Sequence, residues 1–270
     1  MRVKNKARSL VLGAFRTLGY EVTRSHNDSP FPQCPDLTNN DAAIIGLATP
    51  FSMTSVERMY ALINAVRYLC RYNISGALVE CGVWKGGSMI AAARTLMECG
   101  CTDRDLYLFD TFEGMPKPGE LDKDILGTNG AREFEARRTG ADSSDFCFAS
   151  LDEVRNALFS CGYPRDRIHF VKGKVEDTLP LKAPEQISLL RLDTDWYEST
   201  KHELVHLFPR LCAGGVLIID DYGHWQGSRK AVDEYFDDQS TPILLDRIDY
   251  TGRIGVKPMR VTAPEVNGRV

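Results

Sequence analysis

The chain has 270 residues, a formal net charge of −4 and 43% apolar residues, enough for one large α/β domain with an appended segment. Its slight acidity and dispersed basic residues exclude a broad phosphate-binding surface, so nucleic acid is not an expected partner. No run reaches the ~20 apolar residues of a membrane span, and the short apolar run from Leu10 to Phe15 lacks a signal-peptide core and cleavage site. The eight cysteines contain no C-x-x-C pair, and Cys70, Cys81 and Cys212 lie in apolar runs. Reduced thiols in a cytoplasmic protein are therefore expected.

Residues 1–50 read as an N-terminal helix, Met1 to Tyr20, followed by an extended arm rich in Ser, Asn, Asp and Pro between residues 22 and 41. Such an arm can reach a neighbouring subunit, as in a homodimer, although the residues themselves do not fix the oligomeric state. A domain over 51–270 follows. Thr54 or Ser55 caps a helix whose Met59, Leu62, Ile63, Val66 and Leu69 fall at helical spacing. Beyond it the chain alternates. Strands are predicted at Ala77 to Glu80, Leu106 to Asp110, Ile168 to Val171, Ile187 to Asp193 and Gly215 to Asp220, with helical segments between most of them. Near-continuous apolar strands with helical crossovers indicate a mostly parallel sheet with helices on both faces. The segments Ile243 to Ile248 and Ile254 to Lys257 read as a C-terminal antiparallel hairpin.

Open sheets of this kind bind ligands outside the carboxyl ends of their strands. Glu80 and Gly82 end the first strand, and Gly86, Gly87 and Ser88 open the next helix. The glycines do not fit G-x-G-x-x-G. An acid here suits a cofactor with a positive amino group and would repel a pyrophosphate; the bland alternative is a turn used only for close helix packing. Asp110, at the end of the second strand, can accept ribose hydroxyls, and the polar loop Gly173 to Asp177 lies at the depth of an adenine.

Asp193-Thr194-Asp195 ends the fourth strand and Asp220-Asp221 the fifth. Three carboxylates with waters suit octahedral Mg²⁺, although aspartates at strand ends also cap helices. In an extended segment the spacing of Asp193 and Asp195 puts both side chains on one face.

The five parallel strands and terminal hairpin resemble class I S-adenosylmethionine methyltransferases, with their Rossmann-like sheet. Met53-Thr54-Ser55-Val56-Glu57-Arg58, Val79 to Ser88, Tyr107 to Pro116, Leu192 to Tyr197 and Ile219 to Gly223 together resemble the macrocin O-methyltransferase family, which methylates sugar hydroxyls of macrolide and aminocoumarin antibiotics. The match runs from about residue 50 to about 240. It implies S-adenosylmethionine and Mg²⁺ as cofactors and, as acceptor, a small-molecule glycoside: a glycosylated natural product of macrolide or aminocoumarin type, or a glycolipid. It further implies a metal held by Asp193, Asp220 and Asp221, and Asp195 as general base. Cofactor contacts are implied at Met53, Thr54, Glu80, Gly82, Ser88, Asp110, Thr111, Phe112, Gly173, Val175, Glu176 and Asp193.

Trp196, Tyr197, Tyr222 and Trp225 can wall an acceptor pocket or pack in the core. His202 and His224 lie nearby but are not expected to ligate metal. The Pro- and Gly-punctuated segment from Met115 to Gly140 is too polar for core and is expected to form a lid. Two rival readings remain: a glycosyltransferase using Asp193-Thr194-Asp195 as an Asp-x-Asp metal motif, and a non-catalytic cofactor-binding assembly protein.

Overall fold

In a computed structural model, the described residues are 31, 34–237 and 243–259. The predicted N-terminal helix lies outside them, as does most of the arm. The chain divides into two units, the first ending at Ala42 and the second beginning at Ala43. In the first, Thr38 and Asp41 bond each other through backbone and side-chain groups.

Helix α1 spans Asn39–Ala48, α2 Val56–Arg71, α3 Gly87–Glu98, α4 Ala131–Ala136, α5 Leu151–Ser160, α6 Val175–Thr178, α7 Tyr197–Leu207 and α8 Gln226–Asp237. Strands are β1 Ala77–Cys81, β2 Leu106–Asp110, β3 Ile168–Lys172, β4 Ile187–Leu192, β5 Leu211–Ile219, β6 Asp246–Arg247 and β7 Arg253–Val256. Ser55 caps α2 by accepting from the Arg58 amide at 3.2 Å, and the predicted apolar stripe, Met59 to Leu69, is buried. Ser150 and Glu153 close a capping box on α5.

The sheet order is β3-β2-β1-β4-β5-β7-β6. Strands β1 to β5 pair in parallel, and β7 runs antiparallel to β5. Strand β5 begins four residues earlier than predicted, because Leu211 already pairs with Ile187. The hairpin is shorter than predicted: only Asp246 and Arg247, both exposed, pair with β7.

Alternation along the inner strands sends Val79, Cys81, Leu190, Leu192, Leu217 and Ile219 into a core with Leu204 and Leu207 of α7 and Val232 of α8. Glu80 and Arg191, which are register partners across β1 and β4, face the opposite side. Strand order reverses at β1, so a crevice opens beyond the ends of β1 and β4.

Gly82 sits in that crevice with φ +80°, and a Cβ there would fall inside the carbonyl of Asp193. Gly82→Ala is expected to cost at least about 1–2 kcal/mol from left-handed backbone alone, and more from displacing the loop after β4. A thermal melt together with calorimetry of S-adenosylhomocysteine binding checks both effects.

Candidate active site

The backbone carries the parallel ladder one step past the strand ends. The Asp193 amide donates to the Cys81 carbonyl at 2.8 Å and the Asp220 amide to the Leu192 carbonyl at 2.9 Å. Acids far apart in sequence therefore stand side by side. One carboxylate oxygen each from Asp193, Asp195 and Asp221 lie within 4.8 Å of one another. Asp193 and Asp195 do meet, but not through an extended segment. Asp195 has φ 64°, a left-handed conformation that Asp tolerates better than most residues, and its amide donates to Asp221 Oδ2 at 3.3 Å. Backbone strain of this kind concentrates at functional sites.

Burial pushes the Asp195 carboxyl up to about 7, with Asp193 and Asp220 repelling its charge. Asp193 and Asp221 are held well above the ordinary carboxylate range by burial and by their neighbouring acids. Such a cluster favours a cation.

Behind the cluster lies Arg191, a buried guanidinium in a strand whose other residues are apolar except Ser188. Its Nη1 donates to Glu80 Oε1 at 2.7 Å and to Asp193 Oδ2 at 2.6 Å, and its Nη2 to Thr54 Oγ1 at 3.1 Å and to Asp220 Oδ1. Arg58 of α2 takes the other Asp220 oxygen and also reaches Asp249 at 2.9 Å. Asp220, implied as a metal ligand, is thus turned toward two guanidinium groups, and Asp195 stands in the carboxylate cluster instead. Glu80, 1% exposed, lies beneath the crevice with Oε1 accepting from Arg191 and Oε2 without a hydrogen-bond partner among the described residues.

A cavity beside the cluster is lined by Met53, Gly82, Asp110, Thr111, Gly173, Val175, Glu176 and Asp193, all implied as cofactor contacts. Asp110 accepts from the Val83 and Trp84 amides through Oδ2 and from the Phe112 amide through Oδ1. The Thr111 hydroxyl lies 3.4 Å from Oδ1 but has its shorter contact, 2.7 Å, with the Gly114 carbonyl, so when it donates there one of about four lone-pair sites is left for a ligand hydroxyl. Phe112 lies outside the lining, buried edge-on against Phe170. Lys174, within the polar loop expected near an adenine, also lines this cavity, as do Trp84 and Cys147, which sequence reasoning did not single out. Trp84 and Cys147 take positive φ, which no residue pattern announces.

A second cleft shares Met53, Trp84, Cys147, Asp193 and Asp195 with the first. Thr54 and Ser88 line this one rather than the cofactor-side cavity. Gly87, meanwhile, serves close packing, since a Cβ there would meet Phe51 and Ser52. Of the four aromatics expected at the acceptor, only Trp225 lines the cleft, joined by Phe51, Phe146 and Tyr250. Trp196 is buried with its Nε1 donating to Pro116, while the Tyr197 and Tyr222 hydroxyls donate to Glu234 and Asp233. His224 lies in the cleft edge-on to Trp225, and His202 meets His206 edge-on. Neither histidine is in the acidic cluster.

The segment expected as a lid is docked. Asp122, 1% exposed, accepts from the Gly119 and Tyr197 amides and so caps α7 from a distance. Lys123 accepts the Gln226 amide at 2.8 Å. Asp193 and Asp195 make no side-chain cap at α7, so the capping alternative falls away for them.

An α/β sheet of this order, with its acid-lined crevice at the β1–β4 reversal, defines a class I methyltransferase architecture. The family model for macrocin-O-methyltransferase (TylF) matches residues 27–254. A demethyldecarbamoylnovobiocin O-methyltransferase of Streptomyces niveus is 32% identical over 203 residues, covering 74% of each chain. A Streptomyces olivaceus 4'-O-methyltransferase acting on 8-demethyl-8-(2,3-dimethoxy-alpha-L-rhamnosyl)-tetracenomycin C is 34% identical over 201 residues, covering 74% of this chain and 73% of that one. The solved structure of the O-methyltransferase NovP superposes with a TM-score of 0.65 at 30% identity, covering 77% of this chain and 83% of that one. The chain belongs to the macrocin O-methyltransferase family and is an O-methyltransferase.

Proposed function

We propose that the enzyme transfers the methyl group of S-adenosylmethionine to a hydroxyl on the sugar of a glycosylated natural product, with Mg²⁺ beside the acceptor. The carrying observation is the gathering of Asp193, Asp195 and Asp221 where the two cavities meet. The cofactor-side cavity presents Asp110, Glu176, Asp193 and Asp195 against the single cation Lys174. That balance suits a sulfonium with a free amine and disfavours a pyrophosphate. The sugar acceptor is supported by relatives such as the rhamnosyl-tetracenomycin enzyme.

The donor set fits a hard divalent ion, since its ligands are carboxylate oxygens and its buried acids outnumber the guanidinium groups paired with them. Asp193 and Asp221 would hold the ion, with Asp195 alongside; Asp220 serves as the counter-charge that fixes Arg58 and Arg191. When bound, Mg²⁺ supplies electrostatic stabilisation of the developing alkoxide. Asp195 accepts the proton of the acceptor hydroxyl. Asp110 takes one ribose hydroxyl, and Val175 and Glu176 border the adenine. Trp84 and Cys147, shared by both cavities, hold donor and acceptor in line.

The test is transfer of labelled methyl from S-adenosylmethionine to a panel of glycosides, with and without EDTA. Label on a sugar oxygen that EDTA prevents is the expected result; label on nitrogen or carboxylate, or transfer indifferent to EDTA, would refute the reading. In the same assay Asp221→Ala is expected to lose activity that added Mg²⁺ does not restore. Asp220→Asn is expected to retain Mg²⁺ affinity within a few-fold in calorimetry while melting at lower temperature, since it loosens two buried ion pairs.

A further inference from the structure

Helix α7 carries one residue into the interior that its apolar neighbours do not explain. Glu203 is fully buried, next to the buried Leu204 and one turn before the buried Leu207. A carboxyl in such a place gives up its hydration and is compensated through hydrogen bonds. Among the described residues Glu203 makes one: Oε2 accepts from the Thr194 hydroxyl at 3.2 Å, while Oε1 has no partner. A leucine would suit the same neighbours without that cost, so the use of the carboxyl lies in the one bond it makes. Glu203 lines neither of the two cavities and stands apart from the three acids that meet at their junction. Burial pushes its carboxyl well above the ordinary range, and Glu176, Asp221 and Asp193 add their repulsion.

Thr194 sits between two of those acids. Asp195, which follows it, has the left-handed backbone described above, and a conformation of that kind persists when the surrounding bonds over-determine it. Before the turn the Asp193 amide is tied to the Cys81 carbonyl, and after it the Trp196 amide is tied to the Thr194 carbonyl at 2.7 Å. Between these two ties, Glu203 fixes the Thr194 side chain. One helical turn earlier, Ser199 donates to Glu176 at 2.7 Å, so one face of α7 supports both the turn at Asp195 and the polar loop after β3.

We infer that Glu203 is a positioning residue for the methyl transfer: by holding the Thr194 hydroxyl it fixes the turn that aims the Asp195 carboxylate at the acceptor. Glu203 itself touches neither cofactor nor acceptor. The inference rests on the general-base role proposed above for Asp195.

Three variants test it. Glu203→Met removes the acceptor at similar bulk, Glu203→Gln keeps an acceptor, and Thr194→Val removes the donor at nearly constant shape. Turnover is measured on the best glycoside substrate at saturating S-adenosylmethionine and Mg²⁺, and hydrogen exchange of the Asp195 and Trp196 amides is followed by NMR. Expected in Glu203→Met and in Thr194→Val is a kcat lowered roughly 10–100-fold, the scale of a misplaced reacting group, with little change in acceptor KM and faster exchange at both amides. Glu203→Gln should restore kcat and slow exchange. The double variant Glu203→Met/Thr194→Val should lose no more than either single one, because both break the same bond. An undiminished kcat in Thr194→Val, additive losses in the double variant, or a Glu203→Gln as slow as Glu203→Met would overturn the inference. The Thr194 variant decides even where Glu203→Met does not fold. Amide exchange needs no acceptor and so separates the two claims. Exchange that quickens in Thr194→Val and Glu203→Met in an enzyme that methylates no glycoside upholds the positioning and rejects sugar methylation; exchange unchanged in every variant rejects the positioning.

Discussion

Asp195→Asn is expected to lower kcat by roughly 10²–10⁴, the usual share of a positioned general base, with S-adenosylhomocysteine affinity preserved. The substitution keeps the side-chain shape and the left-handed turn, since Asn also tolerates positive φ. It removes the capacity to take a proton. Because Asp195 stands among Asp193 and Asp221, the loss of one negative charge is also expected to weaken Mg²⁺ modestly, so kcat is measured at saturating metal. A variant with full kcat under those conditions would strip Asp195 of its role as base. A variant that fails to bind S-adenosylhomocysteine would instead make Asp195 a cofactor ligand.

Arg191→Met carries the largest expected cost in stability. Arg191, Glu80 and Asp220 are each no more than 3% exposed, and one guanidinium serves both carboxylates along with Asp193. Removing it strands charges that water cannot reach, and breaking a buried pair typically costs about 3–5 kcal/mol. For a domain of this size the expected fall in melting temperature is on the order of 10 °C. Pairing the change with Glu80→Gln is expected to recover part of the loss, because one stranded carboxylate becomes neutral. Additive losses in that double-mutant cycle would mean that the two side chains do not act on each other.

The parts of the molecule that were legible are those written in local pattern. Strands β1 to β4 were visible because apolar runs end in acids or turn residues, and α2 because its cap and stripe are contiguous. Residues whose meaning is non-local were not. Arg191 reads as a blemish in Ile187 to Leu192 until β1 lies beside β4 and brings Glu80 to its register position. The same proximity explains why Glu80, an acid at the right strand end, faces a guanidinium rather than the cofactor cavity. Asp193 and Asp195 were rightly joined on a mistaken geometry, since an extended segment and a left-handed turn share one spacing in sequence. The contact of Asp122 with the α7 amide has no local signature, because the two lie 75 positions apart. The exposed β6 reduced to two residues because its charged residues give it little to bury.

Crystals soaked with Mn²⁺ and S-adenosylhomocysteine provide the most direct test, through the anomalous difference map. A peak bounded by Asp193 and Asp221, next to Asp195 and within reach of the bound cofactor's sulfur, is the expected result. A peak held elsewhere, or none at all in a protein whose methyl transfer still requires a divalent ion, would contradict it.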